Sequence, residues 1–169
     1  GWFTPLINEY DLVLKLHGYF GITQPICKKT LPFGELYHIG GPTSVRGYLF
    51  GQIGPKFAGD SIGGQKAFFV NAELIFPIAP DMTIKGIVFY DGGAGWDNPY
   101  TDNISLENMI YLRDNSFTYR HSIGAGLRLL KTMPIRIDWG FKIDPRKNKQ
   151  DPARSESPYE VHFGMSYDW

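Results

Sequence analysis

The sequence predicts an all-β fold, an antiparallel transmembrane β-barrel, from three observations. The first is alternation, because residues 135–144 read IRIDWGFKID, with apolar residues at odd positions and mostly charged ones at even positions. A side-chain period of two is that of a β-strand. The second is that short and long connections alternate. The third is that the predicted strands are longer than the average strand of a soluble protein. Both features are typical of membrane barrels. The charged face is then expected to line a lumen.

Composition excludes several other classes. The 169 residues are 43% hydrophobic and 15% aromatic, which is enough for a domain with a core. The 17 basic residues balance 17 acidic ones and form no basic run, so no positive surface for nucleic acid is expected. Cys27 is the single cysteine and can form no internal disulfide. The opening GWFTPLINEY lacks an export signal, so we expect a fragment of a longer protein.

Each of the first three predicted strands sets aliphatic and aromatic residues against polar ones. These strands cover residues 8–20, 65–78 and 83–96. Their polar faces carry Lys15 and His17 in the first, Asn71 and Glu73 in the second, and Lys85 and Asp91 in the third.

The last three predicted strands alternate in the same way and cover residues 119–130, 135–145 and 159–169. Their polar faces carry Arg120 and Arg128 in the first, Arg136 and Asp138 in the second, and His162 and Gly164 in the third. Aromatic residues near the strand ends fit the interfacial belt of a membrane barrel, and they are Tyr10, Phe20, Phe76, Tyr119 and Trp169.

The connections define two ends of the predicted barrel. A long outer loop, 21–64, and a second long loop, 97–118, alternate with short PIAPDM and KTMP turns. Outer-membrane barrels have short periplasmic turns and long outer loops. Within the second loop, residues 104–113 fit either a short amphipathic helix or a disordered tip. Six strands cannot close around a polar lumen, because small barrels start at about eight, so we expect further strands before residue 1.

The outer loop concentrates glycine around one cation, Arg46. The glycines are Gly40, Gly41, Gly47, Gly51 and Gly54. Glycine permits left-handed and tight backbone, and a guanidinium away from bulk water needs forked hydrogen bonds to carboxylates. By the alternation, Glu73 and Asp91 lie on the lumenal side, with Asp138 as a third candidate. We therefore expect Arg46 to project into the lumen and pair with Asp91 or Glu73; the alternative is a solvated loop arginine.

Three segments resemble, in the same order, the Omp85 superfamily of outer-membrane β-barrel assembly and protein-translocation proteins. GGPTSVRGY at 40–48 resembles the VRGY signature of the family's sixth outer loop, here Val45, Arg46, Gly47 and Tyr48. AELIFP at 72–77 and FYDGGAGWD at 89–97 resemble the strands that follow. In the family, the matching arginine contacts acidic residues at the positions of Glu73 and Asp91. The resemblance implies the last six strands of a sixteen-stranded barrel, preceded by POTRA domains absent here.

The terminal VHFGMSYDW resembles the outer-membrane β-signal, polar-x-Gly-x-x-aromatic-x-aromatic, by which such barrels are recognised for insertion. The matching residues are His162, Gly164, Tyr167 and Trp169. In the bacterial assembly barrel a glycine that kinks the last strand lies nearer the end, where Tyr167 and Asp168 stand here. The kink is therefore not transferred to Gly164.

The resemblance implies an assembly factor that folds and inserts client β-barrel proteins into the outer membrane of a bacterium or an organelle of bacterial origin. The alternative is an Omp85-type secretion transporter that threads an exoprotein through the lumen. The implied partners are membrane lipids, unfolded outer-membrane protein clients and, through the missing periplasmic domains, accessory assembly lipoproteins.

We expect no enzyme, no cofactor and no metal. The four histidines have no metal-ligand spacing and no G-x-S-x-G motif occurs. Acids such as Asp138 and Asp144 are more simply paired with Arg136 or Lys142. An outer-membrane barrel hydrolase is the enzymatic alternative. A passive porin would need a constriction loop lined with charge, whereas this loop is rich in glycine.

Overall fold

A computed structural model describes residues 1–7, 11–26, 31–79, 83–101, 108, 111–129, 134–147 and 155–165. These residues form ten β-strands and one 3₁₀ turn, Phe33–Glu35. The strands are β1 Trp2–Ile7, β2 Leu12–Ile22, β3 Lys56–Phe57, β4 Asp60–Ser61, β5 Lys66–Pro77, β6 Ile84–Trp96, β7 Leu112–Arg113, β8 Arg120–Leu129, β9 Ile135–Lys142 and β10 Tyr159–Met165. Across these ranges, no helix is long and apolar enough to cross a membrane.

Seven strands form one antiparallel sheet in the order β1-β2-β5-β6-β8-β9-β10. The long strands are therefore neighbours in the sheet in the order in which they occur in the chain. The three two-residue strands form a separate small sheet, β4-β3-β7, which joins the two long loops. Residues of both edge strands, Phe3 in β1 and Gly164 in β10, line the same cavity. The large sheet thus curves around its inner face, the face that carries Glu73, Asp91 and Asp138.

The sheet is polar inside and apolar outside. In β9, Asp138 is completely buried on the inner face, whereas its neighbour Trp139 is 50% exposed on the outer face. The same reversal holds in β8, where Arg128 is 6% exposed and Leu127 is 43% exposed. Water would favour the opposite arrangement, because it solvates charges and excludes apolar surface. An apolar outer face on a sheet with a buried charged face suits lipid.

The apolar core lies between the long loop and the inner face of the sheet. Buried loop residues pack there against two residues of β5, and the cluster comprises Ile39, Val45, Tyr48, Ile53, Ala67 and Phe69. Two isolated bridges, Tyr37 with Gly64 and Ile39 with Ile53, close the loop on itself. The loop is therefore folded against the wall rather than extended away from it.

The prediction of six long strands is wrong, because β1 was missed and the sheet has seven. Pro5 and a register shift between Pro5 and Ile7 interrupt the alternation of this stretch. Proline is tolerated because β1 lies at the edge of the described sheet. The predicted strand 8–20 is also displaced: β2 begins at Leu12, after Asp11 adopts a positive φ of 48° in the preceding turn.

The other predicted strands agree with the structure to within a few residues. Residues 166–169 of the last one lie outside the described residues. The predicted loop 21–64 begins inside β2 and contains β3 and β4, whose two-residue length gives no periodic signal. The predicted helix 104–113 lies mostly outside the described residues. The last two residues of that range form β7 instead.

Two outward positions of β9 test the lipid-facing assignment. We expect Ile137→Arg or Trp139→Arg to lower the free energy of unfolding in lipid vesicles by about 2–4 kcal/mol near the bilayer midplane, because a charge enters hydrocarbon. Leu49→Arg, at a loop position 55% exposed, should change it by less than about 1 kcal/mol. Equal reactivity of single cysteines at 137 and 138 towards a lipid-soluble thiol reagent would contradict the assignment.

Candidate functional site

The site is built around the guanidinium of Arg46, which lies in the loop against the inner face. Its Nε and Nη2 atoms donate to the two carboxylate oxygens of Asp91 in β6, at 2.6 and 2.8 Å. The backbone N–H of Arg46 donates to the same carboxylate at 3.0 Å. The Arg46 side chain is 4% exposed and that of Asp91 is completely buried. The contact is therefore forked, the geometry that best compensates a desolvated arginine.

Two further acids and one ring complete the surroundings of Arg46. Glu73 in β5 forms a second ion pair with Arg46, with 2.8 Å between Glu73 Oε1 and Arg46 Nη2. The other carboxylate oxygen of Glu73 lies 3.5 Å from Lys15 Nζ. The Arg46 Cζ atom lies 3.7 Å from the centre of the Phe89 ring, in cation–π geometry. All three predicted carboxylates lie near Arg46, since Asp138 is 3.9 Å away.

Asp138 belongs mainly to another arginine. Its Oδ1 atom is 2.7 Å from Arg128 Nη1, much closer than to Arg46. Neither oxygen of Asp138 receives a hydrogen bond of good geometry from the described residues, so this contact is ionic rather than directional. Gly126 is next to it, and a Cβ there would collide with the carboxylate. The missing side chain makes room for the Asp138–Arg128 pair.

The carboxylates keep Arg46 charged. Burial by itself lowers the pKa of this guanidinium, but the hydrogen bond and charge of Asp91, with the charges of Glu73 and Asp138, raise the pKa above its ordinary value. The site therefore holds a permanent cation with fixed partners. Within the described ranges, no three His, Cys, Asp or Glu side chains come together as metal ligands.

The loop backbone beside Arg46 rests on three neighbouring strands. Ser122 in β8 donates its hydroxyl to the Arg46 carbonyl. Gly47, with a φ of +86°, lies against Gly140 in β9, where an added Cβ would meet the Gly47 nitrogen at 2.5 Å. The Gly47 N–H donates to Nε2 of His162 in β10 at 3.1 Å. The positive φ and the close approach explain why glycine occupies both facing positions.

The other two residues of the VRGY signature belong to the core. Val45 is completely buried and Tyr48 is 1% exposed. The Tyr48 hydroxyl donates to the His121 carbonyl, and the cations of Arg120 and Lys142 lie 5.4 and 5.2 Å from the centre of its ring. These residues hold the loop in place on either side of Arg46.

The predicted β-signal is only partly within the described residues. His162 and Gly164 lie on the inner face of β10, where His162 is 9% exposed. Gly164 lies beside the Arg136 side chain. Tyr167 and Trp169 lie outside the described residues.

Sequence reasoning missed the residues that receive the loop backbone. These are Asn71, whose amide donates to the Ser44 carbonyl at 2.6 Å, together with Ser122 and Gly140. All three occupy inner-face positions that alternation had identified. An uncharged small residue at such a position, as Gly140 is in IRIDWGFKID, was the available signal.

The Arg46–Asp91 contact can be tested by a double-mutant cycle. We expect Arg46→Ala to lower the free energy of unfolding by about 3–5 kcal/mol, because a buried carboxylate loses its partner. Arg46→Lys should lower the free energy of unfolding by less than Arg46→Ala does, but it should not restore the native value, since an ammonium cannot make the forked contact. Arg113→Ala, at an exposed arginine, should stay within about 0.5 kcal/mol. Strictly additive losses for Arg46→Ala and Asp91→Asn would argue against the contact.

Gly140 offers a steric test of the loop position. We expect Gly140→Ala to cost about 1–3 kcal/mol of unfolding free energy, because its Cβ overlaps the Gly47 backbone, which cannot move freely. The matched control is Gly18→Ala in β2, where the nearest heavy atom to an added Cβ is 4.0 Å away. If denaturant unfolding shows the same small effect for both, the loop does not rest on Gly140.

Comparisons with known proteins agree with this architecture. The family model described as "Omp85 superfamily domain" matches residues 1–169. The outer membrane protein assembly factor BamA of Neisseria meningitidis serogroup B is 39% identical over 192 aligned positions, covering 98% of this chain and 23% of that protein. The sorting and assembly machinery component 50 homolog of Xenopus tropicalis is 35% identical over 146 positions, covering 79% of this chain and 29% of that protein.

A solved structure shows the same fold. BamA from Haemophilus ducreyi lacking POTRA domains 1-3 superposes with a TM-score of 0.74 at 24% identity, covering 97% of this chain and 33% of that one. The chain spans about a quarter of the length of these curated relatives. With a family match over its full length and an arginine-centred loop seated on an antiparallel sheet, the chain belongs to the Omp85 superfamily.

Proposed function

We propose that this chain forms part of the barrel of an assembly factor that folds client β-barrel proteins and inserts them into the outer membrane. The relatives carry names that describe assembly factors or assembly machinery. The chain itself lies in an outer membrane, that of a bacterium or of an organelle of bacterial origin.

The observation that carries the proposal is the position of the loop. Residues 40–54, here called the signature loop, lie on the inner face of the sheet with Arg46 buried there. Hydrogen bonds tie this loop to β5, β6, β8 and β10. A loop held on so many strands obstructs a path through the lumen. A client is therefore better received at a strand edge than through the interior.

The terminal strand supplies such an edge. β10 pairs with β9 through seven consecutive residues, and no other described strand pairs with its second edge. In the intact protein, opening of the seam between β10 and the strand that faces it exposes N–H and C=O groups, to which an incoming client strand can add by β-augmentation. In this proposal the client hydrogen-bonds to β10 while its apolar side chains meet lipid.

One observation favours the alternative, a secretion transporter that threads an exoprotein through the lumen. A cavity of about 530 Å³ lies beside the signature loop, lined by groups that include Lys15, Glu73 and Arg136. Threading would require the loop to leave this region, which breaks the buried Arg46 contacts. Their cost makes this the second candidate.

The proposed partners follow from the assembly role. They are membrane lipids on the outer face, unfolded outer-membrane protein clients at β10, and accessory assembly lipoproteins that bind periplasmic domains elsewhere in the intact protein. We propose no nucleic-acid partner, no catalytic activity, no cofactor and no metal.

A covalent lock at β10 tests the proposal in the intact protein that carries this chain. Met165→Cys would be joined by a disulfide-containing, reducible crosslinker to a cysteine on the strand that faces β10 there. We expect client assembly into lipid vesicles to fall at least tenfold when the lock is closed and to recover on reduction, because the edge is no longer available.

The matched control is a crosslink between Leu127→Cys and Ile137→Cys, directly paired outer-face positions of β8 and β9. It should leave the assembly rate unchanged, because these strands are already neighbours. If clients still assemble at the normal rate with the β10 lock verified, edge-based assembly is wrong. Threading through the lumen then becomes the better account.

A further inference from the structure

We propose that His162 is a positioning residue that ties the signature loop to the terminal strand, so that the loop and the edge of β10 move together. The proposal rests on the assembly role of β10 proposed above. His162 occupies the polar position of the predicted β-signal, and in this proposal it also holds the loop in the folded barrel.

The contact is a single hydrogen bond from backbone to side chain. The Gly47 N–H donates to His162 Nε2 at 3.1 Å, and His162 is 9% exposed. Nε2 can accept only when it carries no proton, so the neutral ring holds its proton on Nδ1. Among the described side chains of β10, His162 is the one that hydrogen-bonds to the signature loop.

His162 completes a diagonal row of three inner-face residues. Ser122 in β8 binds the Arg46 carbonyl, Gly140 in β9 contacts Gly47, and His162 in β10 accepts its N–H. The register places Gly140 opposite Gly124, two positions beyond Ser122, and places His162 opposite Asp138, two positions from Gly140. The peptide unit that joins Arg46 to Gly47 therefore contacts residues of all three of these strands.

This arrangement joins the two ends of the site. The Arg46 side chain is fixed to Asp91 in β6, and the next residue, Gly47, is fixed to β10. When β10 moves away from the wall, the bond between Gly47 and His162 must break or the loop must follow. The position of the loop, or the presence of this hydrogen bond, therefore changes when the edge that receives clients moves.

Charged groups surround the imidazole from three elements. Asp138 and Arg136 act on it from β9, Glu160 from β10, and Arg46 from the loop. These charges, together with the burial of the ring, set the pH at which it becomes protonated. Protonation converts Nε2 from an acceptor to a donor that faces the Gly47 donor, so the contact exists only while the ring is neutral.

The test measures hydrogen exchange of the Gly47 amide by NMR on intact protein with isotope-labelled glycine in lipid nanodiscs. The internal reference is the Gly41 amide, which donates to the Tyr48 carbonyl at 2.8 Å in the same loop. We expect His162→Leu to raise exchange at Gly47 relative to Gly41 by about three- to tenfold, the loss expected for one hydrogen bond.

A conservative variant separates this role from general packing. His162→Gln retains an acceptor and should keep most of the Gly47 protection. In the native protein, exchange at Gly47 relative to Gly41 should rise as pH falls from about 8 to about 4 and the imidazole becomes protonated, whereas in His162→Gln it should not change. Val161→Leu, the neighbouring outer-face replacement, should match the native protein throughout.

Each outcome decides the proposal. An unchanged ratio in His162→Leu, a loss in His162→Gln as large as in His162→Leu, or an identical pH response of Gln and native proteins would overturn it. If His162→Leu does not fold, the comparison of Gln with native protein remains decisive. Because exchange is measured without clients, normal assembly by a locked β10 would refute the proposed function and leave this result standing.

Discussion

The structure depends on a buried guanidinium that must find carboxylates. Arg46 is nearly sealed from water, and its charge is compensated by forked hydrogen bonds to Asp91 and an ion pair to Glu73. These acids belong to neighbouring strands and face inward only if both strands keep their register. The loop therefore constrains the sheet as much as the sheet holds the loop.

The same constraint explains the reversed polarity of the wall. An inner face that holds arginines and carboxylates satisfies them with one another, as Arg128 does with Asp138. The outer face then carries the apolar side chains, such as Trp139 beside Asp138. Each strand meets both requirements through simple alternation. Glycines at Gly126 and Gly140 remove side chains where a carboxylate or a loop backbone needs the space.

Much of this could be predicted from the sequence, because it follows from local periodicity. Alternation alone assigned Glu73, Asp91 and Asp138 to one face, and the glycines around Arg46 indicated a loop with unusual backbone. β1 could not be found in the same way, since Pro5 and a register shift break its period. The contacts of Ser122, Gly140 and His162 with the loop depend on which strands are neighbours. Periodicity carries no information on that order.

The hydrogen bonds of the signature loop close chain segments of very different length, which sets an order in time. Arg46 reaches Asp91 across 45 residues and Ser122 across 76, whereas Gly47 reaches His162 across 115. Closing a longer segment costs more chain entropy, which slows the formation of non-local contacts. The ion pair can form once β6 is present, but the Gly47 amide stays without its acceptor until β10 arrives. The loop contacts are thus complete only after β10 has joined the sheet.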